Sequence, residues 1–179
     1  MDRFPLPPEA SYRYQQNFSM DHLGIDIMAT QGTPVLAVED GTAWATRETK
    51  GGNVVYLDGA KTGNRYFYGH LWQWTPNLVI SDNPKVAVKS GEQLGYVGST
   101  GNAAGKPPHV HFQMRRGSLV IDPYPELQKV DPDPSRGSSG PTVHRRRRRT
   151  IEMPSIEWPS SIAPGIALCI ALYLVARRW

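Results

Sequence analysis

The sequence predicts an all-β protein: a Gly-rich antiparallel β-sandwich or barrel-like domain, with a single C-terminal transmembrane helix after it. Three observations predict this. The 179 residues include 17 Gly and 16 Pro, which break helices and set turns. Between these breaks lie short runs rich in Val, Tyr and Phe, residues that favour strands. Ahead of the C-terminal tail, no segment repeats its apolar residues at the 3.6 spacing of an amphipathic helix.

Taken in order, residues 1–20 read as an extended, proline-rich lead-in. Strand signals begin at HLGIDIMA, residues 22–29. TPVLAVEDGTAWAT is an apolar stretch split by Asp40-Gly41, a turn pair. GGNVVYLDG and NRYFYGHL are short strands bounded by glycines, and VAVKSGEQLGYVG alternates around a further Gly turn. HVHFQMRR and LVIDP close the series. Many short strands at this spacing predict one β domain over residues 21–128, and no internal repeat is present. Residues 129–150 form a Pro/Gly/Ser linker, expected to be disordered, with an arginine run at Arg145 to Arg149. Within residues 151–179, the 158–176 stretch carries no charge. Its length is at the short end of what spans a bilayer, and Pro159, Pro164 and Gly165 weaken its first turns, so the other reading is an interfacial or signal-like apolar segment. Trp158 and Trp179 stand where interfacial anchors belong.

The formal net charge of +4 divides unevenly. Residues 1–143 hold 13 Lys/Arg against 14 Asp/Glu, a balance of −1, and residues 144–179 hold 7 Arg against 2 Glu, a balance of +5. The basicity belongs to the tail. The body therefore lacks the cationic face that nucleic-acid binding requires, and no nucleic-acid partner is expected. The arginine run beside an apolar span suits lipid headgroups instead. Cys169 is the sole cysteine, so no internal disulfide forms and no cysteine nucleophile lies in the body. Oligomeric state is not legible.

The chain has five histidines, and two of them stand two apart in HVHF. On a strand, His109 and His111 share one face while Val110 faces the opposite layer. Upstream, HLGID places His22 and Asp26 four apart with Gly24 midway. If that stretch is extended, all three share a face and Gly24 leaves the space between the polar side chains clear. His22, Asp26 and one of the HxH pair then form a two-histidine, one-carboxylate set with an open fourth position, the plan of a catalytic zinc site. YGHL adds His70; in an aromatic strand it also reads as a packed core histidine. The Gly-rich GSTGNAAG lacks the Lys-Ser/Thr ending of a phosphate loop, and Asp122 before Pro123 reads as a strand end.

The order of DHLGIDI, GTPVLAVEDGTA, GGNVVYLD, YFYGHL, VAVKSGEQLGYVGSTGNAAGKPPHVHF and IDPYPEL resembles the lysostaphin-type, LytM-like zinc endopeptidases that hydrolyse peptidoglycan. The resemblance runs over residues 22–123. It implies the LytM β domain of duplicated hybrid-motif type. It implies Zn2+ held by His22, Asp26 and His111, with His109 as the general base. His70 corresponds to the other non-ligand histidine, which orients water or stabilises the oxyanion. The implied substrates are the cross-bridge or stem peptides of bacterial cell-wall peptidoglycan. Lys106-Pro107-Pro108 departs from the family's usual Thr-Gly or shorter link and alters one groove wall. Other groove positions are expected near Tyr12 or Tyr14, Asn53 and Trp72.

The resulting expectation is a membrane-anchored enzyme whose domain faces the periplasm or cell-wall space. Two features pull the other way. Residues 1–14 lack the charged-then-apolar order of an export signal, and five arginines before the span against two after it favour a cytoplasmic domain. The alternative within the resemblance is a non-catalytic regulator or scaffold of cell-wall remodelling.

Overall fold

The computed structural model describes residues 1–78 and 85–135. The arginine run, residues 136–150 of the expected linker and the expected transmembrane helix lie outside these residues. Among the described residues, no helix is long and apolar enough to cross a membrane.

The body is antiparallel β structure, as the turn-and-strand pattern predicts. Its main sheet contains β1 (Tyr12–Gln16), β2 (Ile25–Ala29), β4 (Gly41–Glu48), β5 (Gly52–Gly59), β6 (Arg65–Leu71), β8 (Val86–Val88), β10 (His109–Arg116) and β11 (Leu119–Ile121). Their spatial order is β1-β2-β10-β6-β5-β4-β8, with β11 paired to β10. A second, three-stranded sheet orders β3 (Pro34–Leu36), β9 (Gln93–Tyr96) and β7 (Gln73–Trp74). The β10 strand lies between β2 and β6, so the HxH residues sit in the middle of the large sheet.

Alternation along the strands decides which face is core. Val110, Phe112 and Met114 of β10 are buried with Ile25 and Ile27 of β2 and Tyr66 and Tyr68 of β6. Each such large side chain contributes roughly 1.5–3 kcal/mol by leaving water. The alternate positions, His109, His111 and Gln113, then necessarily face the other side.

Two elements were not legible as such. The expected lead-in is part of the body: Phe4, Leu6, Tyr12 and Tyr14 join the core, and β1 pairs antiparallel with β2. A short helix, α1 (Tyr124–Val130), follows the last strand. Pro123 and Pro125 suit a helix start, the Asp122 carboxylate accepts from the Tyr124 amide at 2.9 Å, and Leu127 is fully buried. At the far end of α1, Asp131 accepts hydrogen bonds from the hydroxyls of both Tyr12 and Tyr14. That clasp ties β1 to the helix. It also removes Tyr12 and Tyr14 from the expected groove rim, since both side chains are buried in the core.

Candidate metal centre

The antiparallel register of β2 and β10 places Asp26 directly opposite His111. The histidine Nδ1 lies 2.8 Å from Asp26 Oδ1. His22 reaches the same oxygen through Nε2, at 3.1 Å. It arrives by a route the sequence reading did not foresee. Residues 19–24 are not extended: the Ser19 and His22 backbones bond to each other, and the Gly24 amide donates back to the His22 carbonyl at 2.9 Å. A turn therefore brings His22 to Asp26, the second residue of β2. Gly24 is required for a related reason. A Cβ there would stand 2.7 Å from Cε1 and Nε2 of His111, so the clear space holds the His111 ring. Gly69, opposite His111 on β6, gives similar clearance, since a Cβ there would come within 2.8 Å of the Phe67 ring.

The other two histidines close the site. His109 Nε2 stands 4.0 Å from Asp26 Oδ2. The His70 and His109 rings are 4.9 Å apart, and those of His70 and His111 are 5.8 Å apart. His70 is the one non-glycine residue with positive φ among the described residues, at 64°. Such a conformation costs of order 1–3 kcal/mol. It coincides with a register shift between Asn53 and Val55 on the neighbouring strand. The His70 amide donates to the Gly51 carbonyl at 2.7 Å. The bulge turns a ring that would otherwise pack in an aromatic strand toward the histidine cluster.

Ring hydrogens are fixed by the backbone. Carbonyl oxygens only accept, so His22 Nδ1 donates to Asn17 (3.1 Å), His70 Nδ1 to Thr100 (2.9 Å) and His109 Nδ1 to Pro107 (2.9 Å). In the neutral rings of His70 and His109 each Nε2 is then bare, whereas His22 meets Asp26 through its second nitrogen and donates from both when it is protonated. His111 is the reverse case: its Nδ1 faces Asp26 and its Nε2 faces Gln113 at 2.8 Å. Thr100, Pro107 and Gln113 were missed in the sequence. The first two act through backbone carbonyls, which sequence does not mark. Gln113 was findable, since HVHFQ puts it on the same strand face as the two histidines.

The electrostatics follow from these contacts. Burial alone would raise the Asp26 pKa, but hydrogen bonds from His111 and His22 hold it far below the usual carboxylate range. Burial opposes charge on His22, yet the hydrogen bond and charge of Asp26 outweigh it and raise its pKa. His70 is lowered to about 4 by burial and by neighbouring His109. These groups line an open cleft of about 840 Å³ whose rim also carries Lys50, Lys106 and Arg115. Trp72 is half exposed, and the Asn53 side chain donates to its carbonyl at 2.9 Å.

The donor set suits a metal ion. One ligand atom from each of His22, Asp26 and His111 lies within 4.8 Å of the others. Two imidazole nitrogens and one carboxylate oxygen match the borderline-soft preference of zinc and leave a coordination position open.

A β sheet presenting such a set, flanked by two further imidazoles in a cleft, has the composition of a hydrolytic metal centre. Comparison with known proteins agrees: residues 20–123 match Peptidase family M23, and the chain belongs to that family. It is 35% identical over 117 residues to the DD-carboxypeptidase/endopeptidase Mpg of Neisseria meningitidis, covering 62% of this chain and 25% of that protein. It is 40% identical over 116 residues to the cell division protein DipM of Caulobacter vibrioides, covering 61% of this chain and 16% of that protein. The chain thus spans a quarter or less of these relatives. In structure it is similar to the antimicrobial peptidase lysostaphin from Staphylococcus simulans, with TM-score 0.59 and 27% identity over 78% of this chain and 61% of that one.

Proposed function

We propose that this chain is a zinc-dependent endopeptidase that hydrolyses peptide bonds of bacterial cell-wall peptidoglycan, in cross-bridges or stem peptides. The observation that carries this reading is Asp26 Oδ1 set between His22 Nε2 and His111 Nδ1, with two more imidazoles beside it. His22, Asp26 and His111 would hold the zinc. Bound there, it would supply a Lewis acid and bring a water pKa to about 7. The other steps belong to the chain. His109, with Nδ1 committed to Pro107, offers a bare Nε2 that takes a proton from the attacking water and returns it to the leaving amine. His70 stays neutral near pH 7 because its pKa lies about 4. With Nδ1 held by Thr100, its Nε2 accepts a hydrogen bond. That favours orienting the water over donating to the oxyanion. The uncharged run at residues 158–176 supports a membrane anchor, and the peptidoglycan substrate proposed here requires the domain on the cell-wall side.

The test is zinc content and loss of turbidity of purified peptidoglycan, measured on one preparation of the full chain, with His109→Ala as control. About one zinc per chain with lysis that the substitution abolishes is the expected result. Likeness to a relative named for cell division favours a second reading, a non-catalytic regulator of wall remodelling. Zinc uptake without lysis on several wall types would select it.

A further inference from the structure

Four imidazoles meet in this site, and three of them are locked. His22, His70 and His109 each give their Nδ1 hydrogen to a backbone carbonyl, a partner that cannot change its role. His111 alone has its outer nitrogen on a side chain, the Gln113 amide, at 2.8 Å. Gln113 lies on the same strand face two residues on, opposite Phe67 of β6. The Phe67 ring in turn meets the His111 ring edge-on, with centroids 6.0 Å apart. The amide is thus held beside the ring.

The two ring nitrogens of His111 are coupled. With the Gln113 amide nitrogen toward Nε2, that atom must accept, so Nδ1 carries the hydrogen and donates to Asp26. Ligation through Nδ1, the nitrogen that faces Asp26, needs the opposite arrangement: Nδ1 bare and Nε2 protonated. A protonated Nε2 needs an acceptor, and Gln113 can become one. A half-turn of its terminal torsion exchanges the amide nitrogen for the carbonyl oxygen with little movement of other atoms.

We propose that Gln113 is the positioning residue of the ligand His111: its amide reverses when metal binds, and this reversal sets how tightly metal is held. The proposal rests on the metal-centre reading above. A side chain able both to donate and to accept serves both ring tautomers, whereas an acceptor-only residue favours the ligand form. Groups that orient a metal-bound histidine through its outer nitrogen typically change metal affinity by about 10–100-fold.

The experiment is competitive Zn2+ titration of the full chain, wild type against Gln113→Leu and Gln113→Glu. Long-range proton–nitrogen NMR of the His111 ring follows with and without zinc, and circular dichroism confirms folding of each variant. Gln113→Leu is expected to weaken binding by about 10-fold or more. Gln113→Glu, which can only accept, is expected to bind at least as tightly as wild type. In wild type the His111 ring hydrogen should move from Nδ1 to Nε2 as zinc is added. Equal affinity of wild type and Gln113→Leu would overturn the proposal, as would equal weakening by both variants or a ring hydrogen that stays on Nδ1. Failure of wild type itself to take up zinc would overturn the metal centre as well, so the two failures are distinguishable.

Discussion

Asp26 and Glu39 are both carboxylates set inside the same β domain, Glu39 with the Met1 amino group 3.7 Å away, and the hydrogen-bond donors that reach them differ in kind. Glu39 is fully buried and accepts hydrogen bonds from the Thr62 amide and hydroxyl and from the Tyr66 hydroxyl. None of those donors gives up its hydrogen near neutral pH; burial and Glu39 push the Tyr66 hydroxyl up to about 12. Asp26 faces imidazole nitrogens instead, which lose a hydrogen easily and then become metal ligands. Asp131, held by Tyr12, Tyr14 and the Asp133 amide, belongs with Glu39. A carboxylate ringed by hydroxyls is a closed structural joint. One ringed by imidazoles can be opened by a cation. The chemistry of the partners, more than the depth of burial, separates structure from site.

Substitutions should break this contrast in graded fashion. Asp26→Ala should abolish zinc binding and lower peptidoglycan lysis by at least ~1000-fold, the several kcal/mol a metal contributes, while circular dichroism shows a folded body. His109→Ala should keep zinc, as read by metal analysis, yet lower the lysis rate by roughly 100–10,000-fold. Glu39→Ala should do the reverse. It removes the carboxylate that accepts from the Thr62 amide and from the Thr62 and Tyr66 hydroxyls, costing roughly 1–3 kcal/mol, so thermal melting should fall by a few degrees with zinc affinity unchanged. The smallest effect is expected for Tyr14→Phe, about 1 kcal/mol, because Tyr12 and the Asp133 amide still bond Asp131.

Acid should sharpen the same contrast. His70 has its folded pKa lowered from 6.5 to about 4, so the unfolded chain binds more protons between those values. Its contribution to stability is complete above pH 6.5 and is lost as pH falls toward 4. His22, whose pKa is raised, acts in the opposite sense, since its contribution is present in acid and lost on raising pH. Denaturation of chelator-treated wild type and His70→Gln across pH 4–7 should show a shallower acid loss in the variant. An unchanged slope would mean that His70 is not buried neutral.

Much of this site was legible because its ligands are side chains at strand spacing. His109 and His111 fall on one face wherever a strand forms, and Asp26 lies opposite through ladder register. The route of His22 was not legible, because a turn and a strand can both bring positions four apart together, and Gly24 suits either. The bulge at His70 depends on pairing with β5 and on the 98–105 loop, both distant in sequence. The first strand was hidden by Pro5, Pro7 and Pro8, and α1 was too short to show a helical period.

The wall formed by the GSTGNAAGKPP loop has a consequence for redesign. It holds the rings of His70 and His109 through the carbonyl oxygens of Thr100 and Pro107, atoms that every amino acid supplies. Side chains at Asn102 and Lys106, which line the cleft, can therefore be randomised to retune which molecules the cleft admits, while the proton inventory of the centre stays as inherited.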